Sequence, residues 1–215
     1  MQTFTCWTRR KFVQNAVLGT TGLYTLRPEV FAEELMTTPP QGEGPFYPDV
    51  LPLDTDNDLI RVNERITPAV GTITHLSGRV LDRRGDPVRN AVVKIWQVDN
   101  QAKYIHTRGG GDRVDKNFQG FGRFLTGPSG AYYFRTIKPP PYPGRPAHIH
   151  YAVYRNDKRV LTTQLYVAGD PKVKRDGLYL REKDPKRRET LVVDFKPIKK
   201  SRIGELEAQF DVILG

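Results

Sequence analysis

The fold is indicated most directly by the stretch Ala91-Val92-Val93-Lys94-Ile95-Trp96-Gln97-Val98. It is rich in β-branched residues and partly alternates apolar with polar side chains, which is typical of a β-strand. The segment Arg83-Arg84-Gly85-Asp86-Pro87 lies before it and has the composition of a turn. Leu76–Asp82, on the other side of that turn, again has strand character. The sequence therefore predicts two strands joined by a turn.

The same pattern of short apolar runs between turns continues along the chain. Further strands are predicted at Tyr132–Ile137, Ile149–Tyr154, Val160–Val167, Leu191–Phe195 and Phe210–Leu214. Asn156-Asp157 is expected to join two of them as a pair. Six or more short strands at turn-spaced intervals predict an all-β chain folded as a single β-sandwich.

Two long loops, rich in glycine and proline, are predicted between the strands, at residues 101–124 and 138–147. Loops held by a rigid sheet are where functional residues usually lie, so these loops are expected to carry the site. Residues 33–70 contain many prolines, which exclude a long helix and predict an irregular N-terminal arm. The sandwich domain is then expected to cover residues 71–215.

The first 32 residues have the layout of a twin-arginine-type signal peptide. Arg9-Arg10 is followed by the bulky Phe12 and a modestly apolar run, and Val30-Phe31-Ala32 offers a cleavage site. The pattern predicts export to the periplasm or the medium, although an ordinary basic amphipathic N-terminus is the alternative. Cys6, the only cysteine, lies in this leader, so no thiolate metal site is expected in the mature chain.

The chain is basic, with a formal net charge of +10. Such a balance fits simple solubility or a field that attracts small anionic substrates. No nucleic-acid-binding motif accompanies the basic residues, and no apolar run approaches the length of a membrane span. The expected partners are therefore small molecules, without nucleic acid or membrane; a homo-oligomer stays open.

His148-Ile149-His150 is the first indication of chemistry. Residues two apart in a strand point to the same face, so both imidazoles could bind one metal ion, although such a pair is often polar surface. No acidic residue lies nearby in sequence to complete a zinc or iron(II) site of the common kinds. A tyrosine phenolate could serve instead, because a trivalent cation favours the deprotonated phenol.

Several motifs, in order along the chain, resemble the intradiol ring-cleavage dioxygenase family and within it the protocatechuate enzymes. They are Gly78–Asp82, Ile95-Trp96-Gln97, Gly120–Arg123, Phe134–Pro139, Tyr142–His150 and Gln164-Leu165-Tyr166. The resemblance covers roughly residues 44–171. It implies one iron(III) per chain, held by Tyr104, Tyr142, His148 and His150, with Tyr142 displaced when substrate binds.

The resemblance also implies roles for residues that do not bind the metal. Arg145 would stabilise negative charge on the activated substrate ring, and Gln164 would lie near the reacting carbons. Pro45 and Phe46 would line the substrate pocket. His106 could contact a metal ligand, but we interpret it as a polar loop residue.

The function implied is opening of a catechol-type ring between its two hydroxyls, using O2, to give a muconate-type dicarboxylate. Only Pro143 and Gly144 separate Tyr142 from Arg145, whereas protocatechuate enzymes have extra residues there. A more open pocket is therefore expected, and the natural substrate is left open. The alternatives are a non-catalytic binding module, whose four ligands need not converge, and a colourless zinc hydrolase using His148 and His150.

Overall fold

The structure is a computed structural model that describes residues 34–52, 54–63, 66–108 and 113–215. The proposed signal peptide lies outside these described residues. Within them, no helix has the length and apolar character needed to cross a bilayer.

Strands dominate the described chain and form two five-stranded sheets, which confirms the all-β prediction. The strands are β1 (Ile73–Asp82), β2 (Val92–Trp96), β3 (Phe121–Leu125), β4 (Ala131–Ile137), β5 (His148–Arg155), β6 (Lys158–Val167), β7 (Val192–Val193), β8 (Lys196–Pro197), β9 (Leu206–Gln209) and β10 (Val212–Leu214). The helical segments are short: 3-10 turns at Val173–Arg175 and Tyr179–Arg181, and α1 (Pro185–Glu189).

The two sheets have different pairing. In the first, β1 pairs with β4 antiparallel and with β9 and β10 in parallel, and β8 pairs with β9. The second has the order β3-β2-β5-β6-β7. Leu76, Phe134, Ile95 and Tyr151, two from each sheet, are completely buried in one apolar cluster, which is the core of the sandwich.

The β5–β6 hairpin turns at Asn156 and Asp157, where the sequence predicted a strand pair. Both residues have positive φ angles, 49° and 59°. Two consecutive positive φ angles are the geometry of a two-residue hairpin turn, and Asn and Asp tolerate it better than other side-chain residues. The turn pairs Arg155 with Lys158, and a one-residue register shift between Val153 and Tyr154 then places His150 opposite Gln164.

Three sequence predictions are corrected by the structure. The loop predicted to reach residue 124 ends earlier, because Phe121–Leu125 forms β3. Gly122 made this stretch resemble a loop, but a Cβ there would lie 2.5 Å from Leu59 Cδ1. Glycine is therefore needed at this position because the N-terminal arm packs directly against β3. The strand predicted at Leu191–Phe195 is reduced to two residues, and neither β8 nor β9 was predicted.

The described residues of the N-terminal arm contain no helix and only a one-residue bridge, between Asp58 and Arg135. Leu59 and Ile60 nevertheless are completely buried in the main core. The backbone N–H of Leu59 donates to the carbonyl of Arg135 at 2.8 Å. The arm is therefore irregular but packed against the sheets.

Candidate metal centre

Strand β5 is buried on both faces, and the two faces have different neighbours. Ile149, Tyr151 and Val153 belong to the main core. Because side chains alternate along a strand, His148 and His150 lie on the opposite face. There a smaller cluster is formed by Trp96, Val98, Tyr104, Phe121 and Ala152.

Four donor atoms from three segments meet on this face of β5, which points away from the main core and is called the outer face below. Tyr104 Oη lies 3.0 Å from His150 Nε2 and 3.3 Å from His148 Nε2, and the two Nε2 atoms are 3.2 Å apart. Tyr142 Oη lies 3.5 Å from Tyr104 Oη. Donors that bind one ion at about 2.1 Å lie about 3.0–3.5 Å apart, so the separations fit a shared metal ion.

Hydrogen bonding and packing orient the two imidazoles. His148 Nδ1 lies 2.6 Å from the carbonyl oxygen of Pro146, to which it can donate. That bond leaves the lone pair on Nε2, as metal-binding histidines require. The ring of His150 stacks on Trp96, with centroids 4.8 Å apart. Both side chains thus hold Nε2 toward the centre.

Burial shifts the pKa values of His148, His150 and Tyr104, in each case toward the uncharged form of the side chain. The pKa of His148 is lowered to about 4, chiefly by burial and then by Arg145. Burial and neighbouring His148 hold the pKa of His150 well below its ordinary value, so both imidazoles are neutral, which is the form in which histidine can bind a metal. Burial raises the pKa of Tyr104 well above 10, and a bound cation would reverse that preference toward phenolate.

Asp99 shapes the loop that presents Tyr104, and sequence reasoning missed it. Its side chain is buried, and Oδ1 accepts the backbone N–H groups of Gln101 and Lys103 at 2.8 and 2.9 Å. Oδ2 accepts the N–H of Asp115 at 2.8 Å. In the sequence, Asp99 directly follows the strand predicted at Ala91–Val98. An aspartate in that position often forms such a turn, and this could have identified it.

Tyr142 and Arg145 face each other across a tight turn. The N–H of Tyr142 donates to the carbonyl of Arg145 at 3.2 Å, and the reciprocal bond is 3.0 Å. Pro143 and Gly144, with φ +80°, occupy the two central positions, which are the usual residues of a type II turn. Tyr142 is half-buried whereas Tyr104 is buried, so Tyr142 is the more accessible phenol.

Arg145 and Gln164 are brought together beside the histidines. Arg145 Nη2 donates to Gln164 Oε1 at 2.5 Å, and Gln164 lies opposite His150 in the β5–β6 register. Arg145 Nε also donates to Asp176 Oδ2 at 2.7 Å. Burial alone would lower the pKa of Arg145, but the charge and hydrogen bond of Asp176, together with Tyr142 and Tyr166, raise it overall. Asp176 belongs to none of the sequence motifs that predicted the site.

The N-terminal arm covers the centre from one side. The ring of Phe46 stacks on Tyr104 with centroids 5.1 Å apart, and Pro45 is exposed. A Cβ on Gly44 would lie 3.3 Å from His150 Cε1, so the backbone passes directly over that ring. His106 is in the loop, as interpreted, but it is buried, with its ring edge against Phe46 at 5.8 Å.

The described residues contain no group of three or more His, Cys, Asp or Glu side chains placed to hold a metal ion. The usual ligands of a catalytic zinc site, histidines with a further carboxylate or thiolate, are therefore not assembled in this part of the chain. The donors that lie closest to the two histidine Nε2 atoms are phenol oxygens instead.

Comparison with known proteins agrees with this geometry. The family model described as Dioxygenase matches residues 42–215. The protocatechuate 3,4-dioxygenase beta chain of Burkholderia cepacia is 34% identical over 176 residues, covering 77% of this chain and 73% of that protein. Catechol 1,2-dioxygenase of Acinetobacter baylyi is also 34% identical, over 73% of this chain but only 53% of that protein.

A solved structure shares both sequence and fold. It is the dioxygenase domain of a dioxygenase–carbohydrate-binding fusion from Streptomyces sp. SirexAA-E, with 30% identity and a TM-score of 0.61. The similarity covers 83% of this chain and 98% of that domain. The family match spans most of the described chain and includes the segments that converge on the centre. The chain belongs to the intradiol ring-cleavage dioxygenase family.

Proposed function

We propose that this chain is a mononuclear iron(III) enzyme that cleaves a small catechol-type diol with O2 to a muconate-type dicarboxylate. The observation that carries the proposal is the convergence of four donor atoms on the outer face of β5. The residues that would hold the metal are Tyr104, Tyr142, His148 and His150. Two phenolates and two neutral imidazoles suit a hard trivalent ion, and iron(III) would act there as a Lewis acid and template for the diol.

The two tyrosines would have different roles. Tyr104 is buried beneath Phe46, so it would stay in place throughout the reaction. Tyr142 is half-buried at a tight turn, so its side chain can leave as the diol enters. Once released, the phenolate oxygen of Tyr142 would be free to accept one of the diol protons. The diol would thereby become an anion, and its deprotonated oxygen would donate electron density into its own aromatic ring.

Arg145 and Gln164 would act on the bound ring. Arg145 remains protonated at any working pH, so it cannot exchange protons and its effect is electrostatic. A fixed cation beside a site shielded from water stabilises the negative charge that develops on the ring. Gln164, tied to Arg145, would lie beside the reacting carbons. Phe46, and Pro45 at the exposed edge of the arm, would line the entry for the diol.

Purified protein tests the metal and the reaction together. We expect one iron per chain by metal analysis and a red-brown colour, because a phenolate bound to iron(III) absorbs visible light by charge transfer. With catechol and 18O-labelled O2, the dicarboxylate product should contain both labelled atoms. Stoichiometric zinc with no visible absorption band would contradict the proposal and restore the hydrolase alternative.

We also propose that the protein is exported by the twin-arginine route, on the basis of Arg9-Arg10 and the apolar run after it. Replacing both arginines by lysine should keep the charge and retain the protein in the cytoplasm, as measured by cell fractionation. The control is the same replacement at Arg83 and Arg84, a second arginine pair, exposed in the β1–β2 turn. Undiminished export of the first variant would contradict the proposal.

A further inference from the structure

Asp176 is a buried carboxylate that is not one of the proposed metal ligands but contacts Arg145 beside the proposed centre. Its side chain is 1% exposed, and Oδ2 accepts a hydrogen bond from Arg145 Nε at 2.7 Å. It lies between the two 3-10 turns that follow β6, 31 residues beyond Arg145. A buried charge is costly unless it is paired, so this pair has to be kept intact in the folded protein.

The other carboxylate oxygen fixes Asp176 itself. Oδ1 accepts the backbone N–H groups of Leu178 at 3.0 Å and Tyr179 at 2.9 Å. The hydroxyl of Tyr166, which is opposite His148 in the β5–β6 register, lies 3.3 Å from Oδ1 and shares its proton between Oδ1 and Gln41 Oε1 at 3.0 Å. The carboxylate is therefore held by a turn and by the strand next to the histidines.

The guanidinium of Arg145 is consequently held by two acceptors at two of its nitrogens. Asp176 takes Nε, and Gln164 Oε1 takes Nη2. Gln164 is anchored in turn, because its Nε2 donates to the carbonyl of Gly42 at 3.2 Å. Two acceptors define the plane of the guanidinium, whereas one would leave it free to rotate about a single contact. A cation stabilises developing charge best when its position is set before the reaction.

We propose that Asp176 is a positioning residue, which acts on the reaction by holding the guanidinium of Arg145 in place. The inference rests on the proposed function, in which Arg145 stabilises charge on the substrate ring. It adds a residue from a segment that contributes no metal ligand. The competing explanation is that Asp176 only stabilises the turn at Leu178 and Tyr179.

Asp176→Asn separates these explanations. The amide oxygen of asparagine can still accept the N–H groups of Leu178 and Tyr179, so the turn is kept. Its NH2 group would face Arg145 Nε–H, donor against donor, so the contact to Arg145 is lost. We expect kcat to fall by about 10-fold or more, with KM, iron content and the visible absorption band nearly unchanged.

Asp58→Asn is the matched control. Asp58 forms another Asp–Arg pair at 2.7 Å, with Arg135, away from the centre. We expect this variant to keep the kcat of the wild-type enzyme. Wild-type kcat in Asp176→Asn, with Arg145→Leu slow, would overturn the positioning role and leave the proposed function of Arg145 standing. Wild-type kcat in Arg145→Leu would instead overturn the role of Arg145.

The double variant Arg145→Leu/Asp176→Asn tests the coupling and also removes the unpaired buried charge that could prevent folding. If Asp176 acts only through Arg145, the double variant should have the same kcat as Arg145→Leu alone. A further loss of about 10-fold in the double variant would show that Asp176 acts independently, and would overturn the inference. The comparison holds even if Asp176→Asn alone does not fold.

Discussion

His148→Ala is expected to lose both the bound iron and ring-cleaving activity. The substitution removes one of the four converging donors, at the atom that lies 3.2 Å from His150 Nε2. Lewis-acid assistance by a metal lowers the activation barrier by several kcal/mol, so without the metal activity should fall on the order of 100-fold or more. Metal analysis and the visible spectrum measure the loss of iron, and oxygen uptake with catechol measures the loss of activity.

His75→Ala is the control for this prediction. His75 lies on β1, in the other sheet, where Nδ1 contacts the hydroxyl of Tyr133 at 2.5 Å and Nε2 contacts Glu205 at 3.0 Å. It should retain iron, colour and turnover. A His148→Ala protein that keeps one iron per chain and its colour would show that the four donors do not form the metal site.

Arg145→Leu is expected to keep its iron and its colour, to bind catechols, and to turn over far more slowly. Losing one preorganised group that stabilises developing charge typically costs on the order of 100-fold in kcat. If Arg145 only steered anionic substrates, KM would rise for carboxylated catechols and plain catechol would be unaffected. Measuring kcat and KM with both substrates distinguishes the roles, and a normal kcat would refute the electrostatic one.

The stability of this variant has to be followed as well. Arg145→Leu leaves Asp176 buried without its cation, and breaking a buried pair costs about 3–5 kcal/mol. Its melting temperature should therefore drop, and kinetics should be measured well below the unfolding transition. Arg135→Leu is the comparison variant, because it breaks the more exposed pair with Asp58 and should leave kcat unchanged.

Local patterns in the sequence were sufficient to predict most of the strands. β-branched runs and the Asn156-Asp157 turn predicted β2 and the β5–β6 hairpin, because side-chain alternation and positive φ angles are local properties. β3 was not predicted. Its Gly122 is required by close approach of Leu59, a contact across more than 60 residues that no local pattern reveals.

The same distinction applies to the candidate site. His148 and His150 could be paired from spacing alone, and Tyr104, Tyr142, Arg145 and Gln164 came from motifs shared with a family. Their roles stay predictions, although the structure brings all six together. Asp176 and Asp99 belong to no motif that was noticed, because each acts through backbone N–H groups and a partner distant in sequence.

The placement of the histidines on the outer face of β5 affects how the substrate selectivity of such a protein can change by mutation. The proposed metal centre lies on the side of the sheet turned away from the principal core, where the arm and two loops surround it. Exchanges at Phe46 or in the turn between Tyr142 and Arg145 would alter the shape of the entrance without disturbing Ile149, Tyr151 and Val153 beneath. Selectivity toward different diols is thus free to change while the framework keeps its stability, which makes the arm and this turn the natural targets for directed evolution.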